Sequence, residues 1–144
     1  EGAVYVERTL EELRQEELVP FQAGIVAGTD MVMVGHLIVS DVDDQPAPFS
    51  YAIVTELLRE EMGFDGVVIT DGLQMKAMTD AYSSAEIALK AVKAGVDLLL
   101  CPEDLHSAVA ALEGAVEDGT LPAERLDESV LRILTLKLER GLFD

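Results

Sequence analysis

The chain has 144 residues, the size of one ordinary domain and too short for two full ones. Hydrophobic residues make up 49% of it, enough for a packed core, so global disorder is excluded. With 28 acidic and 10 basic residues, the formal net charge is −18. Because such a surface repels phosphate backbones, nucleic-acid binding is not expected.

Membrane insertion and disulfide bonding are not expected either. No apolar run approaches the ~18 residues of a membrane span, and no signal-peptide pattern opens the chain. Cys101 is the single cysteine, so no intrachain disulfide can form. The chain starts at Glu1 rather than Met, which leads us to expect that the native N-terminus lies elsewhere or was processed.

A pattern of glycine followed by a short apolar run occurs three times. After a predicted first helix over residues 11–27, the copies are residues 27–34 (AGTDMVMV), 63–70 (GFDGVVIT) and 94–101 (AGVDLLLC). The first glycine of each copy recurs after 35 residues and then after 32. Continuous apolar runs are typical of strands buried on both faces in parallel sheets, so we predict strands near residues 31–34, 67–70 and 96–100.

Helical patterns separate and follow these runs. Ser50 offers an N-cap for a helix over residues 51–62, and Gly63 suits its C-terminus. Further helices are predicted from Ser83 to just before Gly95, over residues 105–116 and over residues 122–140. Parallel strands joined by helical crossovers are the expected assembly.

Two α/β architectures fit this order: an open doubly wound sheet and part of a (β/α)8 barrel. A whole barrel needs roughly 250 residues, more than this chain has. Three parallel strands would also leave two apolar edges uncovered. We therefore expect residues 1–144 to form one partial domain, half of a TIM barrel, completed by another chain or a missing segment.

In either architecture, catalytic and binding residues lie at the carboxyl ends of the strands. Asp71 follows the second run directly and could be a nucleophile, a base or a metal ligand, or only the N-cap of a short helical turn. His36 follows the first run and could bind substrate, orient a carboxylate or be a satisfied core histidine. The aspartates before the three runs, Asp30, Asp65 and Asp97, are expected to be structural.

The remaining candidates are weaker. The acidic loop of residues 40–46 lacks the glycine and closing glutamate of a calcium loop, so a solvated loop is favoured. Cys101 is expected to be buried and inert, and His106 to be exposed on the helix after the third run. Met75 and Met78 lie near the expected mouth, where methionine more often packs than reacts. No phosphate loop, metal-ligand spacing or Gly-x-Ser-x-Gly elbow is present, so no metal or cofactor is expected.

Residues 57–75, LLREEMGFDGVVITDGLQM, resemble the nucleophile region of glycoside hydrolase family 3. That family includes β-glucosidases and the β-N-acetylglucosaminidases that trim peptidoglycan fragments. Flanking matches are residues 10–14 with 17–21, 30–36 (DMVMVGH), 46–50 (PAPFS), 94–100 (AGVDLLL) and 125–134 (RLDESVLRIL), so that the resemblance covers nearly the whole chain.

The resemblance implies a retaining β-glycosidase with Asp71 as its nucleophile. His36 and Met75, which lie near the expected mouth, are predicted to bind the substrate. Residues 16–21 and 74–78 are more similar to the acetylglucosaminidase branch, which favours terminal N-acetylglucosamine as the sugar. Members of that branch occur in the cytoplasm and as exported proteins. The compartment is therefore left open, with the cytoplasm favoured over export.

The sequence departs from the family in one important respect. The acetylglucosaminidase branch carries a Lys-His-Phe-Pro-Gly-His-Gly-Asp segment that supplies substrate contacts and the acid/base, and nothing like it precedes Leu10. The three runs would correspond to strands six to eight of the barrel, and the chain alone is expected to be inactive. The alternatives are a non-catalytic half-barrel that pairs through its strand edges, and a lyase or aldolase, against which the lack of a strand-end lysine argues.

Overall fold

The computed structural model describes residues 4–143, and its centre is a pair of parallel strands. Strand β2 (Met31–Val34) runs parallel to strand β4 (Val67–Thr70), with Met31 beside Val67 and Val34 beside Thr70. Both strands carry β-branched residues and lie where the glycine-plus-apolar runs predict them. The predicted α/β class with parallel pairing is confirmed.

The third predicted strand, residues 96–100, is less regular than expected. It pairs with β4 through one parallel bridge, between Leu98 and Ile69. The amide of Thr70 donates to the carbonyl of Leu98, but the amide of Leu100 donates to the Thr70 hydroxyl, 3.0 Å away. Because a side chain here takes the place of a backbone carbonyl, the ladder does not continue as a regular strand.

A second parallel pair was missed by the sequence analysis. Strand β1 (Val4–Val6) pairs with strand β3 (Leu37–Val39), which follows β2 after only Gly35 and His36. The expectation that each strand is followed by a helix is therefore wrong for β2, whose next element is β3. Three-residue strands are too short to show an alternating or continuous apolar pattern of their own.

The first predicted helix is two helices. Helix α1 (Leu10–Gln15) begins with a capping box between Thr9 and Glu12, and helix α2 (Val19–Val26) starts after a break. Pro20 lies in the first turn of α2, where its missing amide hydrogen costs nothing, but within one continuous helix it would remove a hydrogen bond.

The four longer helices after β3 lie where the sequence predicts them. Ser50 Oγ accepts from the amide of Ile53 and so caps the helix that follows. That helix has wide turns of the π type, since the Met62 amide donates to the Leu57 carbonyl five residues back. The full set after β3 is a 3₁₀ turn (Ala47–Phe49), the π-type helix (Ala52–Glu61), α3 (Lys76–Thr79), α4 (Ser84–Ala94), α5 (Leu105–Glu117) and α6 (Ala123–Glu139).

The main core lies between the sheet and the π-type helix with α4. Val54, Val68 and Ala91 are fully buried there. Gly95 ends α4 in the left-handed conformation, with φ at +113°, and a Cβ at this position would lie 2.5 Å from the Thr55 hydroxyl. Only glycine therefore allows α4 to turn into residues 96–100 against the π-type helix.

Among the helices of residues 4–143, none combines the length and the apolar character needed to cross a bilayer.

Candidate active site

The carboxyl ends of β2 and β4 are joined by a backbone hydrogen bond. The amide of Asp71 donates to the carbonyl of Val34 over 3.2 Å, so the residue after β4 continues the pairing with β2. This contact fixes the backbone from which the Asp71 side chain projects. The sequence predicts Asp71 at this end of the sheet, and the structure places it there.

One carboxylate oxygen of Asp71 is held by its own loop. Oδ1 accepts a hydrogen bond of 2.6 Å from the amide of Gly72. The hydrogen bonds among residues 4–143 leave Oδ2 without a protein donor. A carboxylate with one anchored and one free oxygen is oriented and still able to attack an electrophile.

His36 binds the same loop from the neighbouring strand. Its ring is buried, with 8% of the residue exposed, and Nε2 lies 3.1 Å from the carbonyl oxygen of Gly72. The amide of Met75 donates to the same carbonyl over 3.2 Å. Gly72 is thus the point at which the segments carrying His36, Asp71 and Met75 meet.

These three residues line one cavity of about 500 Å³. Met75 is 46% exposed and supplies part of an apolar wall, whereas Lys76 supplies a positive charge. The volume falls in the range of small-molecule sites, and the lining mixes apolar surface with a few polar groups. The complete lining is Val4, Gly35, His36, Leu37, Asp71, Met75, Lys76 and Ala77.

The opposite end of the sheet carries a buried ion cluster around Asp97. Its side chain is fully buried, and its Oδ2 accepts from Arg59 over 2.6 Å and from the amide of Val68 over 2.9 Å. Oδ1 accepts from the hydroxyl of Ser129 over 2.6 Å and from Arg132 over 3.2 Å. The geometry fits the structural role expected for Asp97.

The arginines of this cluster were missed by the sequence analysis. The π-type helix supplies Arg59, and α6 supplies Arg125 and Arg132. Because all three lie far from Asp97 in sequence, no local sequence pattern predicts that they contact it. Burial lowers the pKa of the Arg59 guanidinium, and the charge of Asp97 opposes that shift. Through these contacts with Asp97, α6 and the π-type helix are both joined to the start of residues 96–100.

The remaining candidates lie outside the cavity. In the acidic loop, Asp41 accepts from the amide of Leu10 and Asp43 from the amide of Gln45. No group of side chains within residues 4–143 has the geometry of a metal site. Cys101 is exposed, so the expectation that it is buried is wrong, and its backbone adopts the left-handed conformation with φ at +49°. His106 is exposed on α5, as expected.

The chain is similar to several known proteins. Residues 1–136 match the model of the glycosyl hydrolase family 3 N-terminal domain. The chain is 40% identical over 109 residues to a beta-hexosaminidase of Stenotrophomonas maltophilia strain K279a, covering 74% of the chain and 32% of that protein. It is 32% identical over 135 residues to a beta-N-acetylglucosaminidase/beta-glucosidase of Cellulomonas fimi, covering 86% of the chain and 24% of that protein.

Solved structures show the same relationship. A family 3 β-N-acetylglucosaminidase from Paenibacillus sp. str. FPU-7 superposes with a TM-score of 0.92 at 41% identity, over 97% of this chain and 28% of that one. The chain therefore spans about a quarter to a third of the length of these relatives. Since the family model matches nearly the whole sequence, the chain belongs to glycosyl hydrolase family 3.

Proposed function

We propose that this chain is the nucleophile-bearing part of a retaining glycoside hydrolase that removes terminal β-linked N-acetylglucosamine. The observation that carries the proposal is the geometry of Asp71. Its carboxylate stands at the carboxyl end of a parallel strand, with Oδ1 anchored and Oδ2 free, on a cavity large enough for a sugar. In barrel enzymes, this end of the strands holds the chemistry.

The reaction would proceed in two displacements. Oδ2 of Asp71 forms a bond to the anomeric carbon while the glycosidic C–O bond breaks, and its electron pair leaves with the aglycone oxygen. That oxygen takes a proton from an acid, and a glycosyl ester on Asp71 remains. Water, deprotonated by the same group, then attacks the anomeric carbon and releases the sugar and the free carboxylate.

The other lining residues would hold the sugar. The apolar side of a pyranose ring packs well against the Met75 side chain, whose thioether adapts to irregular surfaces. His36 lines the same cavity and would contribute to its shape. The names of the relatives, beta-hexosaminidase and β-N-acetylglucosaminidase, support N-acetylglucosamine as the sugar. A role in the recycling of peptidoglycan fragments would follow from that specificity.

We propose further that the chain acts as part of a larger barrel. Strands β2 and β4 and residues 96–100, with the helices that follow them, would correspond to strands six to eight of a (β/α)8 barrel, in its C-terminal half. The acid/base that the reaction needs would come from the remaining strands or from a second chain. Removing one member of an acid and nucleophile pair costs orders of magnitude in rate, so the 144-residue chain alone should be inactive.

The test uses a completed barrel, which we define as this chain together with the residues that form the rest of the barrel. A chimera in which the chain replaces the matching segment of the Paenibacillus enzyme provides one, since the two superpose over 97% of the chain. Hydrolysis of an aryl β-N-acetylglucosaminide is compared for the unchanged chimera, Asp71→Asn and the exposed-loop control Asp44→Asn.

Asp71→Asn keeps the shape of the side chain but removes the attacking charge, so its kcat/KM should fall by roughly a thousandfold or more. Asp44→Asn should act like the unchanged chimera. Equal activity of the two variants would show that Asp71 is not the nucleophile.

A non-catalytic module that pairs with a copy of itself is the second candidate. It is favoured by the exposed apolar side chains of β1 and β2, where Val4 and Tyr5 are 57% and 61% exposed and Met33 is 51% exposed. Pairing of two such surfaces would bury them without any catalysis. Light scattering of the 144-residue chain separates the cases: a stable dimer supports pairing, and a monomer contradicts it.

A further inference from the structure

We infer that Thr70 is a positioning residue, whose hydroxyl interrupts the regular pairing of β4 and so releases the amide of Gly72 to hold the Asp71 carboxylate. The inference rests on the proposed function and deepens it, since it names a residue that acts on the nucleophile without touching the substrate. Nothing in the family match or in the relatives' names assigns Thr70 a role. It is derived from three hydrogen bonds that depart from the pattern of a parallel ladder.

The third apolar run begins its pairing with β4 in the regular way. The amide of Leu98 donates to the carbonyl of Val68 over 3.0 Å, and the carbonyl of Leu98 accepts from the amide of Thr70 over 3.0 Å. In a parallel ladder this arrangement repeats at every second residue. A regular ladder would therefore have the amide of Leu100 donate to the carbonyl of Thr70, and the carbonyl of Leu100 accept from the amide of Gly72.

Both hydrogen bonds of Leu100 depart from this pattern. Its amide donates to the hydroxyl of Thr70 over 3.0 Å, in place of the carbonyl of that residue. Its carbonyl accepts from the amide of Leu73 over 2.9 Å, in place of the amide of Gly72. One extra residue therefore lies on the β4 side between the two bonds, as in a β-bulge, and bulges beside active sites redirect side chains.

The amide that leaves the ladder is the one that holds the nucleophile. The amide of Gly72 donates to Asp71 Oδ1 over 2.6 Å, and a regular ladder would direct it to the carbonyl of Leu100 instead. Thr70 is fully buried, so solvent does not compete for the hydrogen bond between its hydroxyl and the Leu100 amide. The Thr70 hydroxyl thus determines whether the Gly72 amide extends the sheet or anchors the carboxylate.

Three replacements of Thr70 in the completed barrel test the role of the hydroxyl. Thr70→Val has nearly the same shape but no acceptor, Thr70→Ala also lacks the acceptor and is smaller, and Thr70→Ser keeps the hydroxyl. Leu121→Ala is the control for a general loss of stability, since Leu121 is buried in a separate core cluster with Val92 and Ala115. For each protein, kcat and KM for an aryl β-N-acetylglucosaminide are measured at a temperature at which circular dichroism shows it to be fully folded. The affinity for N-acetylglucosamine is measured by calorimetry.

We expect Thr70→Val to lower kcat and kcat/KM together by about ten- to a hundredfold, because a misplaced nucleophile weakens the transition state more than the bound ground state. Its affinity for N-acetylglucosamine should change by about twofold or less. Thr70→Ala should behave in the same way and carries the comparison if Thr70→Val does not fold. Thr70→Ser should recover most of the lost rate, and Leu121→Ala should keep its kcat although its Tm falls. A normal kcat in a folded variant without the hydroxyl, or an equal loss of rate in Leu121→Ala, would overturn the inference.

Crystal structures of the completed barrel give a readout that does not depend on activity. In Thr70→Val, or in Thr70→Ala if the valine variant does not fold, the Leu100 amide should lie within hydrogen-bond distance of the carbonyl of residue 70. The Gly72 amide should have moved away from Asp71 Oδ1, whereas Thr70→Ser should keep the original arrangement. A Gly72 amide that still donates to Oδ1 without the hydroxyl would overturn the inference.

These outcomes are separate from those that test the proposed function. If Asp71→Asn is inactive while Thr70→Val keeps a normal kcat and the Gly72 contact, the nucleophile stands and the inference about Thr70 fails. If Asp71→Asn retains full activity, the proposed function fails, and the crystal structures still show whether the Thr70 hydroxyl controls the Gly72 amide.

Discussion

Nε2 of His36 and the carbonyl oxygen of Gly72 lie 3.1 Å apart, and this contact links the end of β2 to the loop that carries Asp71. Two amides of the loop add to this contact, since the Asp71 amide donates to the Val34 carbonyl and the Gly72 amide donates to Asp71 Oδ1. A nucleophile must be held within a narrow geometry to act on a bound sugar. Two of these hydrogen bonds hold the loop after β4 to the end of β2, and the third orients the Asp71 carboxylate within the loop.

The Asp97 cluster makes a strong prediction about stability. Asp97→Asn removes the negative charge that three arginines share, and leaves Arg59 in particular buried without a counter-charge. We expect the free energy of unfolding to fall by about 3 kcal/mol or more. Urea unfolding followed by circular dichroism measures it.

Asp65→Asn is the matched control for this substitution. Asp65 also precedes a strand but is exposed, so its replacement should change the free energy of unfolding by about 0.5 kcal/mol or less. If Asp97→Asn were as mild as Asp65→Asn, the cluster would not be what joins α6 and the π-type helix to the sheet.

The Thr70 hydroxyl makes a second prediction about stability. Thr70 is fully buried, and its Oγ1 accepts from the amide of Leu100. Thr70→Val has nearly the same shape but leaves that amide without its partner, so the protein should lose about 1–3 kcal/mol of unfolding free energy. Thr70→Ser keeps the hydroxyl and should lose less. Hydrogen exchange at the Leu100 amide should become faster in the valine variant, and unchanged exchange there would contradict the assignment.

The capping box of α4 makes a prediction about pH. The amide and hydroxyl of Ser83 donate to Glu86 and lower the pKa of its carboxyl below the ordinary 4.5. A group whose pKa is lower in the folded state adds stability above its unfolded pKa and loses it as pH falls through the folded value. The contribution of Glu86 should therefore be complete at neutral pH and disappear progressively below about pH 4.5.

Glu86→Gln tests this pH dependence. Glutamine can still cap Ser83 but does not ionise, so the difference in Tm from the unchanged protein should be larger at pH 7 than at pH 3. Glu113→Gln, an exposed substitution in the middle of α5, controls for the loss of one charge. A Tm difference for Glu86→Gln that does not vary with pH would contradict the prediction.

The sequence was informative where structure follows from local patterns. The apolar runs 31–34 and 67–70 predict β2 and β4 as strands buried on both faces. That burial is found for β4 but not for β2, where Met31 and Met33 are exposed in this chain. The position of Asp71 and His36 directly after those runs places them at the same edge of the sheet. Once parallel pairing is assumed, the meeting of these residues at one cavity follows from the topology alone.

The missed features depend on contacts between distant residues. The pairing of β1 with β3 involves two strands of three residues each, which carry too little pattern to be recognised. The irregular pairing of residues 96–100 follows from the Thr70 hydroxyl taking the Leu100 amide, which is a tertiary contact. The arginines around Asp97 come from two helices, and their convergence requires the fold to be known.

Covalent trapping tests the central claim most directly. The completed barrel is incubated with a 5-fluoro β-N-acetylglucosaminyl fluoride, which slows hydrolysis of the glycosyl-enzyme ester so that it accumulates. After protease digestion, mass spectrometry of the peptide that follows β4 should show the added mass of the fluorosugar, and fragmentation should place it on Asp71. The Asp71→Asn protein should remain unlabelled. Time-dependent inactivation with the label on any other residue would contradict the assignment of Asp71 as the nucleophile.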